Sequence, residues 1–353
     1  MTYAGTTPTR APGGTARRGG RGKKITLWIV ALLVAAIVGI VGSYLLNVQQ
    51  FNANVGRTDP FSGMSDRPGG GVEGAQNFLL IGSDSRDARL PGDNEKIATQ
   101  GGTRSDTLML MHMNKAHDRA YLISIPRDSY VPVPAAGPWG GGRTKINGAF
   151  SFGGARHVVK TIEGFSDVKI DHVVLINFAG FRQMTDAVGG VDVVVNKTTY
   201  DPETKATFRA GVNHLNGAEA LLYVRQRKGL PGGDFDRAKR QQQFLRALLA
   251  QATAKGTLAN PKKFNDLLNA TEKAIVVDED LNMGTAAAQF RGLRTNNLTF
   301  ITLPNLGSAT RGGAGSVVLV DREKALAMFA AVNNDTMDEW LKTNPPNDVT
   351  KGN

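Results

Sequence analysis

Residues 25–46 form an uninterrupted apolar run that carries no charged side chain. As a helix rising about 1.5 Å per residue, this run would be roughly 33 Å long, which is enough to cross the hydrocarbon core of a bilayer. Trp28 and Tyr44 lie near its two ends, where interfacial aromatic residues are expected. The sequence therefore predicts one transmembrane helix over residues 25–46, and the rest of the chain must fold under that constraint.

The basic residues before this run set its predicted orientation. Residues 1–24 contain six Arg and Lys side chains and no acidic residue, out of a formal net charge of +11 for the chain. This segment is predicted to be a disordered cytoplasmic tail, which leaves everything after the helix outside the cell membrane. A cleaved signal peptide and a buried core helix are the alternatives, but the run is long for a signal peptide and no small-residue cleavage site follows it closely. Because the remainder is only mildly basic, nucleic acid is not an expected partner.

Three short apolar segments follow, each with an arginine and an aspartate at one end. A glycine- and proline-containing stretch over residues 47–75 is predicted to be an extracellular linker that leads to them. The segments read as buried strands because they are short, apolar and bounded by Gly or Pro. The three pairs at the strand ends are Asp84 with Arg86, Arg104 with Asp106, and Arg127 with Asp128.

Ligands of open α/β sheets gather at the ends of strands, so these three pairs are expected to meet. Converging carboxylates suit Mg²⁺, and converging arginines suit the phosphates that such a metal bridges. A single pair of this kind is most often a surface salt bridge of little energetic weight. Within the second strand, alternating Leu and Met side chains predict burial on both faces, with His112 as a structural histidine rather than a ligand.

The segment from Leu215 to Leu249 combines a basic loop with an amphipathic helix. Gly232-Gly233 followed by Asp234 predicts the helix start, with Asp234 as the N-cap. A guanidinium on a core-facing stripe is costly unless an anion or a carboxylate meets it. With about 3.6 residues per turn, one face of the helix carries Arg237, Gln241, Phe244, Leu245 and Leu248.

Arg225 and Arg227 stand two residues apart, so an extended segment would point both to the same side. Together with Arg237 and the helix N-terminus they would converge as phosphate-binding groups do. An exposed Arg-Gln-Arg loop is an equally ordinary interpretation of the first two. The remaining cations of the helix are predicted to lie on its solvated face: Lys239, Arg240 and Arg246.

The segments between these motifs predict an alternation of helices and strands. Asn216 and Glu219 have the spacing of a capping box, which would start a short helix before Arg225. The chain has no cysteine, no nucleophile elbow, no Walker lysine loop and no H-E-x-x-H motif. Predicted helices cover Ala155–Glu163, Phe178–Ala187 and Lys324–Val332, and predicted strands cover Val173–Ile176, Val191–Val195 and Leu298–Leu303.

Taken together, these segments resemble the LytR-CpsA-Psr family of envelope proteins. The resemblance covers roughly residues 76–254, and the combination is specific although each motif alone is weak. The matching stretches are N-F-L-L-I-G-S-D-S-R, R-S-D-T-L-M-L, L-I-S-I-P-R-D-S, K-I-N-G-A-F and V-R-Q-R-K…G-D-F-D-R-A-K-R-Q-Q.

The resemblance implies an α/β fold with a central mixed β-sheet flanked by helices, an α-β-α sandwich. This extracellular catalytic domain would cover residues 76–343, with its motif core at 76–254 and a loose tail at 344–353. The implied activity is a phosphotransferase that moves a glycopolymer from a polyprenyl-pyrophosphate carrier onto a peptidoglycan muramic acid hydroxyl. Teichoic acid, capsule and arabinogalactan all fit such a carrier. Hydrolysis of the same pyrophosphate, and non-catalytic lipid binding or regulation in the envelope, are the alternatives.

The same resemblance implies roles for individual residues. Asp84 and Asp106 match carboxylates that bind Mg²⁺ or Mn²⁺, and Asp234 matches an acidic residue that could act as the base. Arg86 and Lys145 lie in matching segments without a fixed role, and a solvated position for Lys145 is equally expected. A lipid groove near Phe178, Phe181 and Phe244 is implied too, although plain core packing is the favoured interpretation of these rings. The implied pyrophosphate-binding set is Arg104, Arg127, Arg225, Arg227, Arg237 and Gln241.

Overall fold

The computed structural model describes residues 50, 52–83, 105–252, 254, 261–290, 293 and 295–346. The predicted cytoplasmic tail and transmembrane helix, residues 1–46, lie outside this part of the chain, as do residues 347–353 of the predicted loose tail. Among the described residues, none of the helices combines the length and the apolar character needed to cross a membrane.

The described residues alternate between strands and helices, as an α/β fold requires. The strands are β1 Gly56–Thr58, β2 Gln76–Ser83, β3 Ser105–Met113, β4 Ala120–Ile125, β5 Tyr130–Val133, β6 Gly142–Lys145, β7 His172–Asn177, β8 Val191–Val195, β9 Thr199–Tyr200, β10 Thr207–Phe208, β11 Gly211–Leu215, β12 Ile275–Asp278, β13 Leu298–Thr302, β14 Asn305–Arg311 and β15 Gly315–Val320. The helices are α1 Asn147–Ser166, α2 Phe178–Ala187, α3 Gly217–Arg225, α4 Asp234–Ala252, α5 Pro261–Ala274, α6 Met283–Phe290, α7 Arg322–Asn333 and α8 Met337–Leu341.

A seven-stranded mixed sheet lies at the centre, in the order β1-β12-β7-β2-β3-β4-β13. Three neighbouring pairs are parallel (β1–β12, β2–β7, β4–β13) and three are antiparallel (β7–β12, β2–β3, β3–β4). One face of the sheet packs on α1 and α7, and the other on α4 and α6. The predicted α-β-α sandwich is therefore confirmed, and the expected burial of β3 on both faces is seen from Leu108 to Met113.

His112 is a structural histidine, as predicted. Its side chain is 1% exposed, and its ring nitrogens lie 2.8 Å from Asn77 Oδ1 and 3.1 Å from Asp335 Oδ1. Burial lowers the pKa of His112 below its ordinary value. The ring therefore ties β3 to its neighbour β2 and to the turn after α7.

The predicted linker over residues 47–75 is wrong in part. Gly56–Thr58 adds a parallel strand to the edge of the sheet beside β12, and Val55 is buried. Arg67 pairs with the buried carboxylate of Glu163 at 2.7 Å. Gly and Pro content predicts a linker but carries no information on these two contacts, because β12 and Glu163 lie far away in sequence.

Candidate active site

The end of β2, the start of β3 and the end of β4 lie at the same edge of the sheet. Ser83, the last residue of β2, is paired with Asn177 of β7 on one side and Ser105 of β3 on the other. β4 runs parallel to β2 because both are antiparallel to β3, so Arg127 leaves the sheet at this edge too. The strand ends therefore meet, as the sequence pattern predicted, and the strand order of the sheet is the reason.

Four cations surround two carboxylates beside this edge. Asp234 is the first residue of α4, and its Oδ1 lies 3.3 Å from Arg237 Nη1 and 3.8 Å from Arg227 Nε, while its Oδ2 lies 3.9 Å from Arg127 Nε. Asp128 lies 3.7 Å from Arg127 Nε and 3.5 Å from Lys145 Nζ. This group, the cation cluster, consists of Arg127, Lys145, Arg227 and Arg237.

The two carboxyl groups are hydrogen-bonded to each other and have opposite pKa shifts. Burial, and then the hydrogen bond to Asp234, raise the pKa of Asp128 above its ordinary value. Burial alone would raise the pKa of Asp234, but the bond from Asp128 and the charges of Arg237, Arg127 and Arg227 hold it below the ordinary value. Of the two groups, Asp234 therefore ionises first, and Asp128 keeps the shared proton to higher pH.

Asp128→Asn should leave stability at neutral pH unchanged or higher. A carboxyl whose folded pKa is raised stabilises the fold in acid, and this contribution is lost as pH rises through the raised pKa. The amide cannot ionise and can still donate to Asp234, so the variant should gain relative to wild type as pH rises. Urea unfolding between acid and neutral pH measures this difference.

Asp266→Asn, which removes an exposed carboxylate paired with Lys262, is the matched control and should show no such trend. A loss of more than about 1 kcal/mol for Asp128→Asn at neutral pH, as for a removed native hydrogen bond, would contradict the shared proton.

A large polar cleft opens on one side of the carboxyl pair. Its volume is about 1010 Å³, and its far wall comes from the β14–β15 hairpin. The Phe152 ring in its lining stacks on Trp139 with centroids 5.0 Å apart. We call this the polar cleft; its lining includes Asp128, Lys145, Asn147, Asp234, Ser308 and Ser316.

A smaller cavity of about 300 Å³ lies on the other side, with mostly apolar walls. Every residue of the predicted helix face lines it, from Arg237 and Gln241 at one end to Leu248 at the other. We call this the apolar cavity; its apolar lining includes Phe178, Phe181, Met184, Phe244, Leu245 and Leu248. The three rings that were interpreted mainly as core packing therefore also face open space.

Arg127 and Arg227 line both spaces. Asp128 and Asp234 face only the polar cleft, whereas Arg225, Arg237 and Gln241 face only the apolar cavity. The cation cluster therefore stands at a junction between an apolar and a polar compartment.

Two local details differ from the sequence-based expectation. Arg225 is the last residue of α3 rather than part of an extended segment, and its guanidinium lies 4.5 Å above the ring of Phe178. Asp234 is the first helical residue, preceded by Gly233 at a φ of 53°, which is a conformation that glycine adopts without strain. The predicted capping box of Asn216 and Glu219 is present at the start of α3.

Arg240 contradicts the prediction of a solvated face. It is 0% exposed, its guanidinium stacks 4.4 Å from the Tyr223 ring, and it donates to Gln226 Oε1 at 2.5 Å and Thr199 Oγ1 at 2.8 Å. Burial lowers the pKa of Arg240. The helix is covered on this side by α3 and the β9–β10 ribbon, which the helical period alone does not reveal.

Asp84, Arg86 and Arg104 lie outside the described residues, and so does the side chain of Asp106. The described residues contain no group of three or more His, Cys, Asp or Glu side chains able to hold a metal ion. However, Gly82 and Thr107 are paired across β2 and β3 and line the apolar cavity together with Arg127. In sequence, Asp84 follows Gly82 by two residues and Asp106 directly precedes Thr107, and carboxylate oxygens are the donors that Mg²⁺ prefers.

The sequence pattern placed Asp128 at a strand end beside Arg127 but assigned it no role in the site, and it gave no sign of the β14–β15 hairpin. Asp128 stands directly after Arg127 at a strand end, and that position was the available signal. The hairpin lies in residues 255–353, where no motif pointed to the site.

Comparisons with known proteins agree with this geometry. The LytR_cpsA_psr family model matches residues 45–334. The chain is 31% identical to the cell wall biosynthesis protein LcpA of Corynebacterium glutamicum over 85% of this chain, but it spans only 63% of that relative. It is 33% identical to the polyisoprenyl-teichoic acid–peptidoglycan teichoic acid transferase TagU of Bacillus mycoides, over 72% of this chain and 78% of that one.

A solved structure gives the same result. The crystal structure of TagV from Bacillus subtilis matches 77% of this chain and 98% of its own with a TM-score of 0.58 and 28% identity. The motifs and the seven-stranded sheet lie within the residues that the family model matches, and the chain belongs to the LytR_cpsA_psr family.

Proposed function

We propose that this protein is a phosphotransferase that moves a glycopolymer from a polyprenyl-pyrophosphate carrier onto a peptidoglycan hydroxyl. The observation that carries the proposal is the junction at Arg127 and Arg227, where an apolar cavity and a polar cleft share two guanidinium groups. A donor with a prenyl tail and a charged head fits one side. A glycan acceptor with hydroxyl groups fits the other.

The cation cluster would hold the pyrophosphate. Arg237, Arg227 and Arg127 gather around one carboxylate, and Arg225 and Gln241 line the adjacent cavity wall. Guanidinium groups bind phosphate oxygens with paired, charge-assisted hydrogen bonds. Arg86 and Arg104, from the strand-end motifs, would complete the set.

The chemistry needs one proton acceptor and one leaving group. The acceptor oxygen attacks the phosphorus that bears the glycan, a new P–O bond forms, and the bond to the second phosphate breaks. Polyprenyl monophosphate leaves, and the hydroxyl proton passes to the ionised carboxylate of Asp234, which faces the polar cleft. The guanidinium groups offset the charge that develops on the leaving phosphate. Asp84 and Asp106 would hold Mg²⁺, which supplies further charge neutralisation when it is bound.

The lining of the polar cleft suits a sugar chain. Asn147, Ser308 and Ser316 offer hydrogen-bonding groups, and Phe152 offers an aromatic face. Residues 25–46 would anchor the domain to the membrane that contains the lipid carrier, with the site outside the cell. TagU, a relative at 33% identity, is named for the transfer of teichoic acid from a polyisoprenyl carrier to peptidoglycan.

Product analysis with and without an acceptor tests the proposal. The full-length protein in detergent is given Mg²⁺ and polyprenyl-pyrophosphate-linked glycans of the teichoic acid, capsule and arabinogalactan types. Release of polyprenyl monophosphate should require peptidoglycan, and the glycan should become attached through a phosphodiester. Equal release without peptidoglycan would identify a hydrolase instead, and tight binding that neither turns over nor needs Mg²⁺ would identify a lipid-binding protein.

A further inference from the structure

Arg240 and Gln226 are buried polar residues that no step of the proposed reaction uses. Both are 0% exposed, and Arg240 is one of the largest fully buried side chains of the described residues. Burying a guanidinium is costly unless its hydrogen bonds and charge are met. Here burial lowers the pKa of Arg240, and the charges of Asp236 and Asp201 offset this only in part.

The contacts of Arg240 converge on one neighbour of the site. Its two terminal nitrogens donate to Gln226 Oε1 at 2.5 Å and to Thr199 Oγ1 at 2.8 Å, and the Thr199 hydroxyl lies 3.4 Å from the same Gln226 oxygen. The Tyr223 and Phe208 rings contact the guanidinium at 4.4 and 5.3 Å. Because a guanidinium group only donates hydrogen bonds, it requires the oxygen of the Gln226 amide to face it. The amide nitrogen of Gln226 therefore points away from Arg240.

Gln226 in turn fixes the backbone that carries two site arginines. Its side-chain nitrogen donates to the Lys228 carbonyl at 3.0 Å, and its backbone nitrogen donates to the Leu222 carbonyl at 3.0 Å. It leaves the helical conformation with a ψ of 130°, which ends α3 between Arg225 and Arg227. Both of these arginines line the apolar cavity, whereas Gln226 points into the protein.

We infer that Arg240 is a positioning residue that, through Gln226, holds the backbone of residues 225–228 so that Arg225 and Arg227 face the pyrophosphate site. The inference rests on the proposed function for the identity of the bound group. The positioning of residues 225–228 by Arg240 and Gln226 does not depend on it. Arg240 touches no substrate. Its effect on binding is therefore transmitted by the segment that it holds.

Hydrogen exchange and a double-mutant cycle test this role in the full-length protein. Arg240→Met keeps most of the side-chain volume and removes the guanidinium group with its hydrogen bonds. The amides of residues 226–228 should exchange at least about tenfold faster, while those of α1 keep their wild-type rates. Farnesyl pyrophosphate, the probe for the site, should bind about tenfold more weakly. This loss should largely disappear in an Arg227→Ala background, because residues that act through one hydrogen-bonded segment are coupled.

Lys239→Met is the matched control, since it removes the adjacent exposed cation of the same helix and should change neither measurement. If Arg240→Met fails to fold, Gln226→Met, which removes the amide but keeps its volume, replaces it with the same expected results. Unchanged exchange at residues 226–228, or an additive loss of binding with Arg227→Ala, would overturn the inference. If the amides exchange faster in Arg240→Met but the wild type does not bind farnesyl pyrophosphate, the positioning role of Arg240 is supported and the proposed function is not.

Discussion

Arg237→Ala should abolish glycan transfer while leaving the domain folded. The Arg237 guanidinium is 3.3 Å from Asp234 and lines the apolar cavity at its charged end. Its removal takes away a preorganised cation from the position of the leaving phosphate, and the loss of one such group typically costs about 10²- to 10³-fold in rate. Turnover with a saturating lipid-linked donor, together with the thermal unfolding midpoint, measures both halves of this prediction.

The control for Arg237→Ala is Arg119→Ala. Arg119 is also paired with an aspartate, at 2.8 Å from Asp338, but the pair is about half exposed and far from the site in the sheet. This variant should transfer glycan at the wild-type rate because an exposed ion pair contributes little. Full activity of Arg237→Ala would remove the central residue of the proposed site.

Leu248→Trp should weaken long-chain donors selectively, by about tenfold or more. Leu248 lies roughly 16 Å along the axis of α4 from Arg237, so it meets only the part of a prenyl chain that is several isoprene units from the phosphate. The indole ring introduced by Leu248→Trp would fill part of a cavity of about 300 Å³. Binding of undecaprenyl pyrophosphate should therefore fall, whereas farnesyl pyrophosphate should bind as before.

Leu326→Trp, on the exposed side of α7, is the matched control and should not distinguish the two lipids. An equal loss for both lipids with Leu248→Trp would indicate general disturbance of the site. No loss for either would mean that the tail lies elsewhere.

The sequence predicted most of the fold because its signals were local. The predicted helix Phe178–Ala187 and strand Val191–Val195 match the observed bounds, since hydrophobic period and glycine turns mark both. The face of α4 from Arg237 to Leu248 was predicted from the helical period, and all five of its residues line one cavity. The convergence of the strand ends followed from the placement of Arg and Asp at similar points of three segments.

What the sequence could not provide depends on distant partners. Arg240 looks like an ordinary surface cation until the aromatic rings of Tyr223 and Phe208 cover it. Gly56–Thr58 becomes a strand only because β12 lies beside it, more than 200 residues later in the chain. The pKa of Asp128 is raised by burial and by Asp234, and the residues around Asp128 in sequence predict neither.

The two borders of the central sheet have a consequence for self-association. An outermost strand with free backbone groups is a template on which another chain can add a strand. Here β1 is only three residues long, and on the opposite border the Gln242 amide of α4 donates to the Ile301 carbonyl of β13 at 3.2 Å. The shortness of β1 and the capped carbonyl of Ile301 each reduce the backbone that is open for pairing, which disfavours growth of the sheet from one molecule to the next even when many copies are crowded together.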